Sequence, residues 1–455
     1  MTATLTSDRH RLPHEFNATV RLAAPLVLGQ LSAVGMTLID TMLAGHLDAH
    51  TLGAVALGSN VWVLAIITII GMMMALQPSV AHLRGAGREH DVGALFRQAL
   101  WLALPLGVGL GLAAAFIGPM LFGLIGVDPS LVADASSFVR AIAWGAPALS
   151  VFFALRGLSE GMGMTRPTMY FSLLGLALLG PLGYVLMYGA LGIPRLGAFG
   201  CGIATAIVLW LQCAAFALYV ARRSRYRHLH LLARFDRPDW RTLLELIDIG
   251  GPIAVTLLME AGLFVAVALT IGKLGTDIIA SHQIALNVAS LVFMVPLGIA
   301  MATTVRVGYA RGRNDGHGVR QAAVVGMLLT VGMQVFSAAL LFSLPERIAA
   351  LYTSDTAVIA LAAQLLGLAA IFQLSDGVQA ASNGALRGLK DTRLPMLISG
   401  FAYWCVGMPL GLWLAFPNGL GAAGMWMGLI AGLSVAAILL TSRFWSIALK
   451  LPTAA

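Results

Sequence analysis

"APLVLGQLSAVG", residues 24–35, and "GPIAVTLLMEAG", residues 251–262, share Pro25/Pro252, Leu31/Leu258 and Gly35/Gly262. Moving the chain along itself by 227 residues holds this register without a gap through Gly45/Gly272, Asn60/Asn287, Gly71/Gly298, Met74/Met301 and Arg84/Arg311. It persists to Asp128/Asp355, Gly161/Gly388, Thr165/Thr392 and Arg166/Arg393. Chance similarity between apolar runs does not hold one register that far, so the chain is a duplicated unit.

The surrounding composition says what is duplicated. Of 455 residues 59% are hydrophobic and 11% charged, with a mean hydropathy of +0.87, against roughly 25% charged in a soluble domain. Uncharged runs that meet the length of about 20 residues needed to cross a bilayer recur at 98–127, 167–194, 196–221, 278–305 and 321–345. The run 394–442 holds two spans separated by "FPNG" at Phe416–Gly419. These runs are continuous and rich in Leu, Ala, Ile, Met and Gly, unlike the alternating strands of a membrane barrel. The reading is an all-α integral membrane protein of twelve transmembrane helices, starting near residues 20, 52, 97, 131, 167, 196, 243, 278, 320, 357, 394 and 421. The register carries the first span onto the seventh, giving two parallel six-helix repeats. Parallel repeats are a transporter design in which the halves flank the substrate path. The expected lobes are 1–221 and 242–455, joined by a solvated basic linker, 222–241.

The net charge of +8 has its own cause. With both termini cytoplasmic, the inner segments hold Arg9, Arg11, Arg21, Arg84, Arg88, Arg97, Arg156 and Arg166, and the linker adds Arg222, Arg223, Arg225, Arg227, Arg234, Arg237 and Arg241. Arg306, Arg311, Arg313, Arg320, Arg387, Lys390, Arg393, Arg443 and Lys450 complete 24 of the 28 Lys and Arg; Arg140, Arg195, Lys273 and Arg347 fall outside. That is the positive-inside bias, and no nucleic-acid partner is expected. Residues 1–21 mix charges with no short apolar core before a small-residue site, so no removable signal peptide is expected. Cys201, Cys213 and Cys405 lie within spans without metal-like spacing and read as small buried thiols. Asp128 and Asp355 read as helix N-caps, and Pro25 and Pro252 as first-turn prolines, which a helix tolerates.

Most of the twenty acidic residues fall in loops, caps or first turns. Asp40 in the first span, Glu260 in the seventh and Asp376 in the tenth do not. By helical rise Asp376 lies about 16 Å from Arg387, inside the hydrocarbon depth. Polar stripes accompany the three acids: Thr37, Asp40 and Thr41; Thr256 and Glu260; Gln373, Asp376, Gln379 and Asn383; and, in the eighth span, Gln283, Asn287 and Ser290. Such stripes line water or a partner. With no intramembrane Lys or Arg to match them, the carboxylates read as functional. They also break the duplication, meeting Val267, Ala33 and Leu149 under the 227-residue shift, so packing of the repeated fold does not require them. Two carboxylates in one dry site repel, so one carries a proton unless a cation lies between them. Hard oxygen ligands suit Na⁺ as well as a proton.

The segments "APLVLGQLSAVGMTLIDTMLAGHL", "LLMEAGLF", "ASHQIALNVASLVFMVPLGIAMATTVRVGYARG" and "FQLSDGVQAASNGALRGLKDTRLPM" resemble the multidrug and toxic compound extrusion (MATE) family, and its bacterial NorM branch in particular. The resemblance implies cation-driven export of cationic amphipathic drugs and dyes across the bacterial inner membrane, with Asp40, Glu260 and Asp376 as the coupling carboxylates. It implies antiport against inward Na⁺ or H⁺, the Glu260 and Asp376 pattern favouring Na⁺, and no further cofactor or metal. Phe293 sits where an aromatic face meets that cation; with Thr37, Thr256, Gln283, Asn287 and Gln379 it is a candidate cavity-lining residue. Twenty Met and nineteen Phe offer adaptable surface for varied small molecules. The chain is read as a monomer in the lipid bilayer and not as an enzyme. A flippase for lipid-linked oligosaccharides, which shares the architecture, would favour deep cations instead. An intramembrane aspartyl protease would need Gly-x-Gly-Asp where Leu374-Ser375-Asp376-Gly377 stands, and no Ser and His pairing is present. His282 reads as a local hydrogen-bonding group near a span end.

Overall fold

The structure, a computed structural model, describes residues 2–126, 128–190, 192, 194–231 and 236–452, with side chains from residue 13 onward except that of Ile125. Arg9 and Arg11 as side chains, and Arg234, lie outside this set. The helices are α1 Thr2–Leu47, α2 Ala49–Met73, α3 Leu76–Gly85, α4 Val92–Ile125, α5 Pro129–Ala143, α6 Ala146–Gly161, α7 Arg166–Tyr188, α8 Gly197–Arg222 and α9 Ser224–Arg227. After the linker come α10 Trp240–Gly272, α11 Thr276–Gly312, α12 Gly316–Ser343, α13 Pro345–Ala350, α14 Thr356–Gly388, α15 Arg393–Gly400, α16 Met408–Ala415 and α17 Gly421–Ala448. A π-helical turn, Phe401–Gly407, joins α15 to α16 within the eleventh span.

Among the described residues eleven helical stretches are long and apolar enough to cross a membrane, and the pair α5 and α6, bent by 44°, passes the same test when taken as one broken span, which gives up to twelve. Asp128 and Asp355 cap as read from the sequence, and Asp48 is a further cap. Asp128 accepts from the Ser130 amide at 2.9 Å and Asp355 from the Ala357 amide at 2.8 Å. Asp48 caps α2 through Thr51 at 2.6 Å, and that amide holds its carboxyl below the usual range.

Contacts divide the chain into two compact units, one of Leu28–Ala254 and one joining Met1–Val27 to Val255–Ala455. These boundaries lie within helices rather than at the linker, and two repeat-related glycines supply the reason. A Cβ on Gly298 would come within 2.5 Å of Val27 Cγ2, and one on Gly71 within 2.3 Å of the Ala254 Cα. Without side chains, Gly298 lets the early part of α1 lie against α11 in one unit, and Gly71 lets the early part of α10 lie against α2 in the other. Val27 and Ala254 are themselves 227-register partners. Ala23 and Leu26 then bury with Ile299, Met301 and Ala302.

Three expectations are corrected. Pro25 and Pro252 stand in the interiors of α1 and α10, not in first turns, because both helices begin a dozen or more residues earlier through polar sequence. Each removes one helical hydrogen bond. The linker is docked on its unit rather than merely solvated: Tyr226 and Leu229 are buried, and Arg97 bonds Asp236 at 2.7 Å and the His230 carbonyl at 2.8 Å. Cys405 is exposed, while Cys201 and Cys213 are buried.

Candidate functional site

In the unit that contains the end of α10, Asp376 lies within charge reach of Glu260. Position follows from spacing. Gln373, Asp376, Gln379 and Asn383 recur every three or four residues on α14, and all four are buried. Glu260 is half-buried, one turn beyond the buried Thr256. Gln373 serves packing, since its carbonyl accepts from Gln334 and its amide oxygen from Ser337, both at 2.8 Å.

Two groups that sequence reading left out complete this cluster. Arg387, counted there among the cations of the helix ends, lies within charge reach of Glu260. Tyr403, 0% exposed on the π-helical turn, lies within charge reach of Glu260 and Asp376 and accepts a hydrogen bond from Gln379 Nε2. The view that the deep acids have no basic partner is therefore corrected, since a long guanidinium arm acts well away from its own backbone position.

Asp40 belongs to the other unit. It is half-buried on α1, accepting from Thr205 Oγ1 at 3.3 Å and facing the Cys201 thiol at 3.5 Å. Thr37 and Thr41 on the same helix are exposed, with Thr41 bonded back to the Thr37 carbonyl at 2.9 Å. Cys201 is thus more than a small packing group. The same unit holds a fourth deep acid: Glu160, 1% exposed, bonds Arg156 at 2.7 Å and Gln77 at 2.9 Å, and Arg156 bonds Gln30 at 2.9 Å. The available signal was the four-residue spacing of Arg156 and Glu160 on one helix.

On α11, Gln283, Asn287 and Ser290 are all exposed along one stripe, flanked by buried Ile284, Ala285 and Val288. Within this stripe Asn287 Nδ2 donates to the Gln283 carbonyl one turn back at 3.2 Å. Phe293, one turn farther along, is half-buried. His282 behaves otherwise than expected. It is fully buried and accepts from Trp426 Nε1 at 3.2 Å, tying α11 to α17 rather than bonding locally.

Chemically, one unit offers two carboxylates, one guanidinium, a phenol and an amide within a buried cluster. That set can hold one small monovalent cation or a proton. The other unit offers Asp40 with a hydroxyl and a thiol donor, and Glu160 already paired with Arg156.

The MatE family pattern matches the chain twice, at residues 25–185 and 252–413, with starts 227 residues apart. A protein described as "Probable multidrug resistance protein NorM" from Xanthomonas campestris pv. campestris is 48% identical over 435 residues, covering 95% of this chain and 94% of that protein. "Multidrug resistance protein PmpM" of Pseudomonas aeruginosa is 40% identical, covering 95% and 92%. Among solved structures, a MATE transporter in its straight conformation superposes with a TM-score of 0.89 at 20% identity, over 96% of this chain and 97% of that one.

Proposed function

Since this chain belongs to the MatE family, in the NorM branch, we propose that it is a secondary multidrug exporter of the bacterial inner membrane, driven by inward Na⁺. The observation that carries the coupling mechanism is the cluster of Glu260, Asp376 and Arg387. Two carboxylates against one guanidinium leave one uncompensated negative charge in a buried place, which a single monovalent cation neutralises. Empty, the cluster favours a cationic cargo; loaded, it does not. Each ligand then binds the two transport states differently, which is the condition for coupling.

The exposed stripe of Gln283 and Asn287 supports a wet face for cargo, and with the half-buried Phe293 on the same helix it gives amphipathic molecules mixed polar and apolar contacts. Asp40 with Thr205 and Cys201 acts as a second coupling carboxylate. The Arg-rich helix ends face the cytoplasm by the positive-inside bias. The protein transports and does not catalyse a covalent step.

The test is efflux of a cationic dye from proteoliposomes under a Na⁺ gradient and, separately, under a pH gradient. Efflux is expected to follow the Na⁺ gradient and to vanish in Glu260→Gln and Asp376→Asn. Undiminished cation-driven efflux in both variants overturns the assignment.

A further inference from the structure

Three features of the eleventh span and its neighbour converge on the acid pair. The first is the π-helical turn Phe401–Gly407, which widens the helix at the point where Tyr403 enters the cluster. Single π-turns inside α-helices occur frequently at functional sites, since they give up regular hydrogen bonding to re-aim a side chain. Tyr403 is fully buried in the apolar core of its unit and lies within charge reach of both carboxylates.

The second feature is Gln379, 3% exposed and three residues beyond Asp376 on the same face of α14. Its amide nitrogen is spent on the Tyr403 hydroxyl, which leaves its amide oxygen buried with no hydrogen-bond donor. An acceptor stranded in this way carries an uncompensated desolvation cost, and a positive charge beside it removes the cost.

The third is the duplication. Under the 227-residue register Tyr403 meets Leu176 and Gln379 meets Phe152, both apolar, as Glu260 meets Ala33 and Asp376 meets Leu149. All four polar groups depart from the repeat in the same half and at one place.

We propose that the amide oxygen of Gln379 and the phenol oxygen of Tyr403 are direct ligands of the coupling cation, completing with Glu260 and Asp376 an all-oxygen shell for Na⁺. The inference rests on the reading of Glu260 and Asp376 as the coupling pair. Its force is in the neutral oxygens. A proton needs only a carboxylate, whereas Na⁺ is a hard cation held by several oxygens at once. Gln379 is held by Tyr403 with its amide oxygen left without a donor, and the phenol lies within charge reach of both carboxylates.

The experiment uses the full-length protein in proteoliposomes and measures the half-saturating Na⁺ concentration for dye efflux and the ratio of Na⁺ to Li⁺ half-saturation. Tyr403→Phe and Gln379→Leu should each raise half-saturating Na⁺ by about tenfold or more, the scale of losing one contributor to a metal site. Both should also alter the Na⁺ to Li⁺ ratio, which a purely structural role would leave in place. Gln379→Glu, which retains an oxygen at the position, should recover Na⁺ affinity. If half-saturation and selectivity stay at wild-type values in Tyr403→Phe and Gln379→Leu while Glu260→Gln abolishes Na⁺ dependence, the ligand assignment fails and the coupling pair stands. If Glu260→Gln and Asp376→Asn keep full Na⁺-driven efflux, the coupling pair itself fails. Wild-type efflux that follows a pH gradient with no Na⁺ dependence overturns the inference.

Discussion

Glu160 and Arg156 illustrate how a single buried charge depends on its partner. The pair is almost wholly removed from solvent, with Gln77 and Gln30 occupying further hydrogen-bonding positions. Glu160→Gln should strand the guanidinium in a dry place and lower stability by about 3–5 kcal/mol, read as a fall in the melting temperature of the detergent-solubilised protein. A double variant, Glu160→Gln with Arg156→Met, should recover most of the loss, because removing both charges is far cheaper than removing one. At this scale the sequence was partly legible. Asp40, Glu260 and Asp376 stand out because a carboxylate inside an apolar run needs a reason, and Gln379 stands out through its three-residue spacing from Asp376. Arg387, Tyr403 and Glu160 do not, because their significance depends on what lies opposite in three dimensions. Arg387 ends a helix, Tyr403 reads as one aromatic in an apolar run, and Glu160 sits beside a terminal glycine.

Helices carry the next level of argument. Twelve spans and their caps are legible because apolar length and an Asp before a helix are local signals, and Asp128 and Asp355 cap as read. The starts of α1 and α10 are not, since helix continues through polar residues once the apolar part is anchored. Pro25 and Pro252 therefore fall in helix interiors. Gly71 and Gly298 are visible in the sequence only as paired letters; the structure gives the pairing a physical meaning as close backbone approaches. Gly298→Ala and Gly71→Ala should each cost about 1–3 kcal/mol by overpacking, measured by thermal unfolding in detergent. The two effects should be similar in size, because the glycines meet repeat-related positions, Val27 and Ala254.

For the whole molecule, duplication and charge bias are the properties that a one-dimensional reading recovers, since both are statements about order along the chain. The division into units is not recoverable that way: 1–27 is grouped with the later half and 242–254 with the earlier one. Each unit is thus assembled from pieces of both repeats. A gene split within the linker after residue 231 would yield two polypeptides, each lacking a strut that only its sibling encodes. Produced separately, both fragments should be degraded; synthesised together in one cell, they should copurify through an affinity tag on either and regain dye efflux.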